Sequence, residues 1–318
     1  MNWWPELRAH VPPMRGEGAV VHPPASSAAE LLGDAVPKKL RVALEDASDE
    51  TAFLQTHARA LGAFWLHVIH APSKAMAKRA DALVDRWFFD HGARKTIALL
   101  PCLPTHAGTC ESGGPICGLT GNAADYWLLD RLRTLLAHAP DHDEALEWAQ
   151  SVVTEWAADG IAAACAFLFP DHRPFFEAAV TNAPLHENLP NYLFASVTEP
   201  EDLALLMNGE RERQFWSGEY GLHLAMRFGP SGYALMRRHL WDDNSEDYAR
   251  AISPYAGETV ATDMLRFLDE RSTRPFVQDY FAHNPRWRPV LEAAAVGTKA
   301  PQKAAAKNPK KTPTDPGP

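Results

Sequence analysis

Four residues in one loop have the donor types of a metal centre. Cys102, His106, Cys110 and Cys117 lie in PCLPTHAGTCESGGPICGLTG. Three thiols and one imidazole are the right number for tetrahedral zinc. Their spacing is not that of a zinc knuckle, because no Cys-x2-Cys pair occurs and the segment is rich in glycine. The reading is therefore a long inter-helix loop over residues 102–121, with no metal and no cofactor. Long loops inside compact arrays are uncommon and often functional, so this loop carries the alternative reading: a metal- or thiol-dependent enzyme or sensor centred on Cys102–Cys117.

Other polar clusters resolve into structural roles. His67 and His70 are three apart, but Ala71 and Pro72 follow and no acid completes a site. With His57 and His91 they read as half-buried histidines beside Trp65. Asp141, His142, Asp143 and Glu144 follow Pro140; acids at that place stabilise a helix amino end. Asp242, Asp243, Asn244, Glu246 and Asp247 lack the glycine and terminal glutamate of a calcium loop, since the sixth and twelfth positions are Asp247 and Ser253. Phosphate-binding, nucleophile-elbow, dinucleotide and zinc-protease motifs are all missing. No catalytic residue is assigned. Phe215, Trp216, Tyr220, Tyr233 and Trp241 alternate with Arg211, Arg213, Arg227, Arg237 and Arg238. That composition suits an interface, but it equally describes buried rings under snorkelling arginines, and the core reading is preferred.

The elements carrying these residues read as helices. Phe53, His57, Leu61, Phe64, Trp65 and Val68 fall on one stripe at helical spacing. Met76, Ala80, Leu83, Val84, Trp87 and Phe88 form the next, ended by Gly92. A helix over 124–138 stops at Pro140 and another opens at Asp141. IAAACAFLF after Gly160 is apolar all round, as a helix buried on several sides must be. Thr198 reads as the cap of EPEDLALLM, Ser245 as the opening of EDYARAI, and Thr262–Leu268 pairs with Pro275–His283. No stretch alternates with period two over five or more residues, so strands are not expected.

An internal echo accompanies the helices. Pro170-Asp-His-Arg-Pro-Phe-Phe-Glu-Ala-Ala179 and Pro285-Arg-Trp-Arg-Pro-Val-Leu-Glu-Ala-Ala294 both read P-x-x-R-P-x-x-E-A-A. Such recurrence marks repeat architectures. The fold class expected is all-α, a HEAT/armadillo-like solenoid of antiparallel helix pairs over residues 26–296. A proline-rich segment (1–25) precedes it and a Lys/Ala/Pro tail (297–318) follows.

Three segments carry a family resemblance: RLRTLLAHAPDHDEALEWA running into ACAFLFPDHRPFFEAAV, then LPNYLFASVTEPEDLALLM, then ISPYAGETVATDMLRFLDERSTRPFVQDYFAHNPRWRPVLEAAA. Over about residues 75–296 the chain resembles the helical repeat region of large bacterial proteins similar to the molybdate metabolism regulator. The resemblance implies HEAT- or armadillo-like repeats accompanying a WGR module. That module is absent here, since no tryptophan precedes Gly-Arg.

Charge narrows the partners. The chain carries −9 overall, and the tail from Gly297 contributes five lysines against Asp315, leaving −13 on the remainder. An acidic body repels nucleic acid and anionic membrane. The amino terminus does not have the pattern of a signal peptide, and no apolar run approaches the roughly 18 residues of a membrane span. The expectation is a cytoplasmic, non-enzymatic helical-repeat scaffold that binds a protein or peptide, with no specific nucleic acid and no membrane. A nucleic-acid accessory role through the lysine tail ranks third.

The tail has no aromatic or branched apolar side chain apart from threonine, and so has little to bury in return for its ordering entropy. Truncation after Val296 is expected to leave the thermal midpoint unchanged. A loss of several degrees in a melting scan would show that the tail docks on the acidic body.

Overall fold

The structure is a computed structural model. It describes residues 13–44, 52–54, 56–57, 59–61, 64, 74–99, 123–155, 161–182, 191–206, 218–239, 245–268 and 270–296. Among these residues the regular structure is helical, with no strand. No described helix is long and apolar enough to cross a membrane. The chain divides into two compact units, Pro12–Thr198 and Met1–Val11 with Glu199–Pro318. The division falls inside the stretch read from sequence as one repeat domain.

In the first unit the described helices are α1 (Ala28–Leu32), α2 (Lys38–Ala43), α3 (Lys74–Ile97), α4 (Ala123–Leu136), α5 (His142–Glu155), α6 (Ile161–Leu168) and α7 (Arg173–Asn182), followed by a 3-10 turn at Asn191–Ser196. A capping box starts α1: Ser27 Oγ accepts from the Glu30 N–H while Glu30 accepts from the Ser27 N–H at 2.8 Å. The stripe of α3 is buried as its spacing requires, with Ala80, Leu83, Val84 and Trp87 at 1% exposure or less. Gly92 ends the first stretch of that helix, as its place in the sequence predicts. It sits inside α3 at φ +82, a left-handed break after which helix resumes. Asp141 Oδ2 accepts from the Ala93 N–H at 2.7 Å and caps the resumed turn. Asp141 thus caps a turn of another helix, while Asp143 and Glu144 lie in the first turn of the helix they precede in sequence, His142–Glu155. A Cβ on Gly92 would lie 2.6 Å from that carboxylate, so glycine is needed for space as well as for φ.

α3 packs on α1, α4 and α5; α4 packs on α6; α5 packs on α6 and α7; and α6 packs on α7. From α3 onward, contacts run between helices one and two places apart. A bidentate pair pins α3 to α4, Arg131 Nε and Nη2 reaching Asp85 Oδ1 and Oδ2 at 2.6 and 2.5 Å. Every residue of α6 is buried, as its unbroken apolar sequence demands, and burial pushes its Cys165 thiol up to about 12.

Residues 13–18, read from sequence as part of a peripheral proline-rich segment, are laced onto α4. The Gly16 N–H donates to Ala137 O at 2.7 Å, Arg133 Nε donates to Pro13 O at 3.0 Å, and His138 Nε2 lies 3.3 Å from Gly18 O. A segment without helical period still has backbone carbonyls to offer, and a buried arginine uses one of them.

The second unit holds α8 (Pro200–Leu206), α9 (Gly218–Phe228), α10 (Pro230–His239), α11 (Ser245–Ile252), α12 (Glu258–Leu265), α13 (Arg274–His283), a 3-10 turn (Pro285–Trp287) and α14 (Arg288–Val296). α8 starts at Pro200, so the cap position passes from Thr198 to Glu199, whose N–H donates to Asp202 Oδ2 at 3.1 Å. α12 begins at Glu258, four residues before the position expected from sequence, with Gly257 at its cap. α9 packs on α10 and α11, α11 on α13, and α12 on α13 and α14.

The sequence echo is a structural echo. Both copies join two helices through four residues, 169–172 and 284–287, and both second helices start at the arginine with proline next. Proline there fixes φ where its missing N–H leaves no bond unmade. The same backbone bond closes each turn, His172 N–H to Phe169 O at 2.9 Å and Trp287 N–H to Asn284 O at 3.0 Å.

The α9–α11 contact depends on Gly221, where a Cβ would lie 2.2 Å from the Ala251 Cβ. Gly→Ala in an exposed helix stabilises by about 1 kcal/mol, whereas overpacking a core costs roughly 1–3 kcal/mol. With backbone and Cβ atoms facing each other, overpacking wins. Gly221→Ala is expected to lower stability in urea titration; an unchanged or raised midpoint would contradict this packing.

Candidate functional site

Cys102, His106, Cys110 and Cys117 lie outside the described residues, as do His67, His70 and Asp242–Asn244. Among the described residues no three His, Cys, Asp or Glu side chains group as a metal site. Of the aromatic–arginine stretch, Phe215, Trp216, Trp241, Arg211 and Arg213 also lie outside. Tyr233 and Arg237 converge on Asp263 Oδ2, at 2.5 and 3.1 Å, bracing α10 against α12. Glu246 pairs with Arg250 one turn on, at 3.2 Å.

His57 and His91 meet in an aromatic cluster. The His57 ring stacks on Phe53 at 4.0 Å and meets His91 and Trp87 edge-on at 5.1 and 5.7 Å. His57 is 3% exposed, deeper than its sequence context indicated. Burial first, then the neighbouring His91, holds it down to about 4, so it is neutral at pH 7.

A cavity of about 150 Å³ opens in the first unit where two helix–turn–helix connections meet. Leu136 and Ala137 come from the end of α4, Leu146 from the first turns of α5, and Leu168 and Phe169 from the end of α6. Pro13 and Arg15 of the laced segment contribute to its lining. The polar members are Arg15, Arg133, His142, Asp171 and His172.

Each polar group has an identifiable setting. Arg133 is 1% exposed; Nη1 donates to Ala195 O at 3.2 Å, Nη2 lies 3.3 Å from Met14 Sδ, and the guanidinium sits 4.8 Å over the Phe167 ring. Arg15 Nη1 reaches Asp143 Oδ1 at 3.1 Å with the two side chains 56% and 75% exposed, a pair that contributes under about 1 kcal/mol. Hydrogen bonds from His142 and then Arg15 hold the Asp143 carboxyl below its ordinary range. His142 stands edge-on to Phe169 at 5.3 Å, and His172 edge-on to Phe175 at 4.5 Å. His172 Nε2 lies 3.2 Å from the Gln150 amide nitrogen. Partial burial lowers the His172 pKa, in keeping with a neutral ring.

Sequence reasoning missed this site, although a signal for it exists. Pro140-Asp-His142 recurs as Pro170-Asp-His172, and Glu147 and Ala149 recur as Glu177 and Ala179. The interval is 30 residues, close to the length of known helical repeats. Both histidines line the one cavity, and the first turn closes with the bond of the other two, His142 N–H to Ala139 O at 3.4 Å. The pattern P-x6-E-x-A at Pro140, Pro170 and Pro285 thus marks three turns of one kind.

No known protein family matches the chain, and no curated protein or solved structure matches it either.

Burial of His57 couples stability to acid. Its folded pKa lies below the unfolded value near 6.5, so the unfolded chain binds the extra proton. Its contribution is whole above about pH 6.5 and is lost as pH falls toward 4. The loss is on the order of 2 kcal/mol after discounting for residual solvent access. His57→Phe is expected to flatten this part of a stability-against-pH curve. A curve with the same slope in the variant would remove His57 as the cause.

Proposed function

We propose that this protein is a non-enzymatic helical-repeat scaffold that binds a protein or peptide partner, and that the cavity between the α4–α5 and α6–α7 turns seats one of the partner's side chains. Size is the observation that carries this reading. Small-molecule and cofactor pockets occupy roughly 300–1,000 Å³, twice this volume or more. A cavity of about 150 Å³ suits a single benzene-sized ring, the scale of one anchoring side chain. Such anchors in desolvated pockets supply most of the energy at interfaces.

The repeat part of the proposal is supported by the three like turns and by packing between helices one and two places apart, from α3 onward in the first unit and from α9 onward in the second. Stacked helix pairs of the HEAT or armadillo kind generate those contacts, because each pair buries its apolar face on the next. They agree with the resemblance to the repeat region of proteins similar to the molybdate metabolism regulator. A cytoplasmic setting with free thiols belongs to the same proposal.

Panning the full chain against displayed random peptides tests it. We expect an enriched peptide family that binds saturably and is lost in Leu146→Trp, which fills the cavity from a half-buried position. Circular dichroism of the variant checks that it folds. Enrichment of nothing, or of peptides indifferent to the plug, would overturn the reading.

A further inference from the structure

We propose that the cavity selects an acidic segment: one aromatic side chain enters, and carboxylates flanking it on the same peptide engage the cationic rim. The inference rests on the peptide-binding reading above and adds the chemistry of the partner. Local charge points this way against the charge of the whole. The chain without its tail carries −13, yet the cavity is lined by two arginines against one carboxylate, Asp171. The Debye length at physiological salt is about 8 Å, so distant acids are screened and the rim decides what docks.

The acids nearest the rim already have partners. Glu144 faces Arg94 at 3.8 Å. Asp143 is held by both Arg15 and His142, at 3.1 and 3.2 Å. Arg15 is more than half exposed in that pair, and an exposed pair of this kind exchanges partners at little cost. An incoming carboxylate can therefore share the Arg15 guanidinium, which has five N–H donors. Arg133 has a different part. Its donors are turned to Pro13 and Ala195, so it holds the wall in place and adds positive potential from behind. The apolar floor of Leu136, Leu146, Leu168 and Phe169 accepts the ring, with Phe169 placed for an edge-to-face contact.

The test uses fluorescein-labelled synthetic peptides of one length, titrated by anisotropy with the full chain. Their centre is Phe or Ala, and the flanks are all Glu, all Ser or all Lys. We expect the Glu-flanked Phe peptide to bind about tenfold or more tighter than the Lys-flanked one, which is roughly one good charge contact, and the Ala-centred control to fail. Raising salt should weaken the Glu-flanked peptide. Arg15→Glu should weaken it roughly three- to tenfold and Asp171→Lys should strengthen it, and both positions are exposed, so folding is preserved. Equal or reversed charge preference among Phe peptides that Leu146→Trp abolishes would overturn this inference and leave the peptide-binding reading standing. Failure of every peptide would overturn both. Phenylacetate binding as tightly as the peptide would assign the cavity to a free aromatic acid and overturn the peptide proposal. So would a dimer in solution that Leu146→Trp dissolves, which would make a second copy the occupant.

Discussion

The first unit is organised around a guanidinium with almost no access to water. Removing an arginine from solvent costs several kcal/mol unless its donors are met, and Arg133 meets them with backbone carbonyls from two distant places, Pro13 and Ala195, and with the Phe167 face. Four stretches of chain must therefore be in position at once: the segment near residue 13, α4, α6 and the 3-10 turn at 191–196. The cavity is a consequence, because Pro13 and Arg15 line it only while that carbonyl is held. A truncation of Arg133 would strand the Pro13 and Ala195 acceptors as well as remove the charge, and stranded buried acceptors are costly in their own right.

The turns that flank the cavity follow one local rule. Proline ends the approach, a bond from the second residue after it closes the turn to the residue before it, and a glutamate and a small residue lie on the helix that follows. Ala149 and Ala179, the small residues of the first two copies, are both buried, where a larger side chain would push neighbouring helices apart. Repetition of such a unit places equivalent residues side by side. That is how His142 and His172 come to share one cavity without being neighbours in sequence.

Net charge is a poor guide to such a place. A total of −13 outside the tail describes the field felt far away, and it bears on nucleic acid and membranes. At the cavity the nearest charges count most, and there Arg15 and Arg133 stand beside Asp171 and Asp143. The meeting of the two arginines depends on the laced segment, whose proline-rich composition carries no helical period to reveal where it lies.

Periodicity, caps and turn residues determined much of the local structure. The buried stripe of α3, the wholly buried α6 and the twin turns after Phe169 and Asn284 were legible because each depends on residues within one or two turns of chain. The helix end at Gly92 was legible, but the restart of helix directly after it was not, since the cap that restarts it is Asp141, 48 residues on. The same holds for the depth of His57, which burial by Phe53, His91 and Trp87 sets; the shift of the α8 cap to Glu199 is local, its acceptor Asp202 lying three residues on. The cavity was the least legible feature. Its lining comes from four stretches of chain, and hydrogen bonds between distant residues, which leave no local pattern, hold them together. Sequence alone determined that this chain makes helices and where most of them turn; tertiary structure decided which side chains meet, because a buried charge recruits partners by proximity in space and not along the chain.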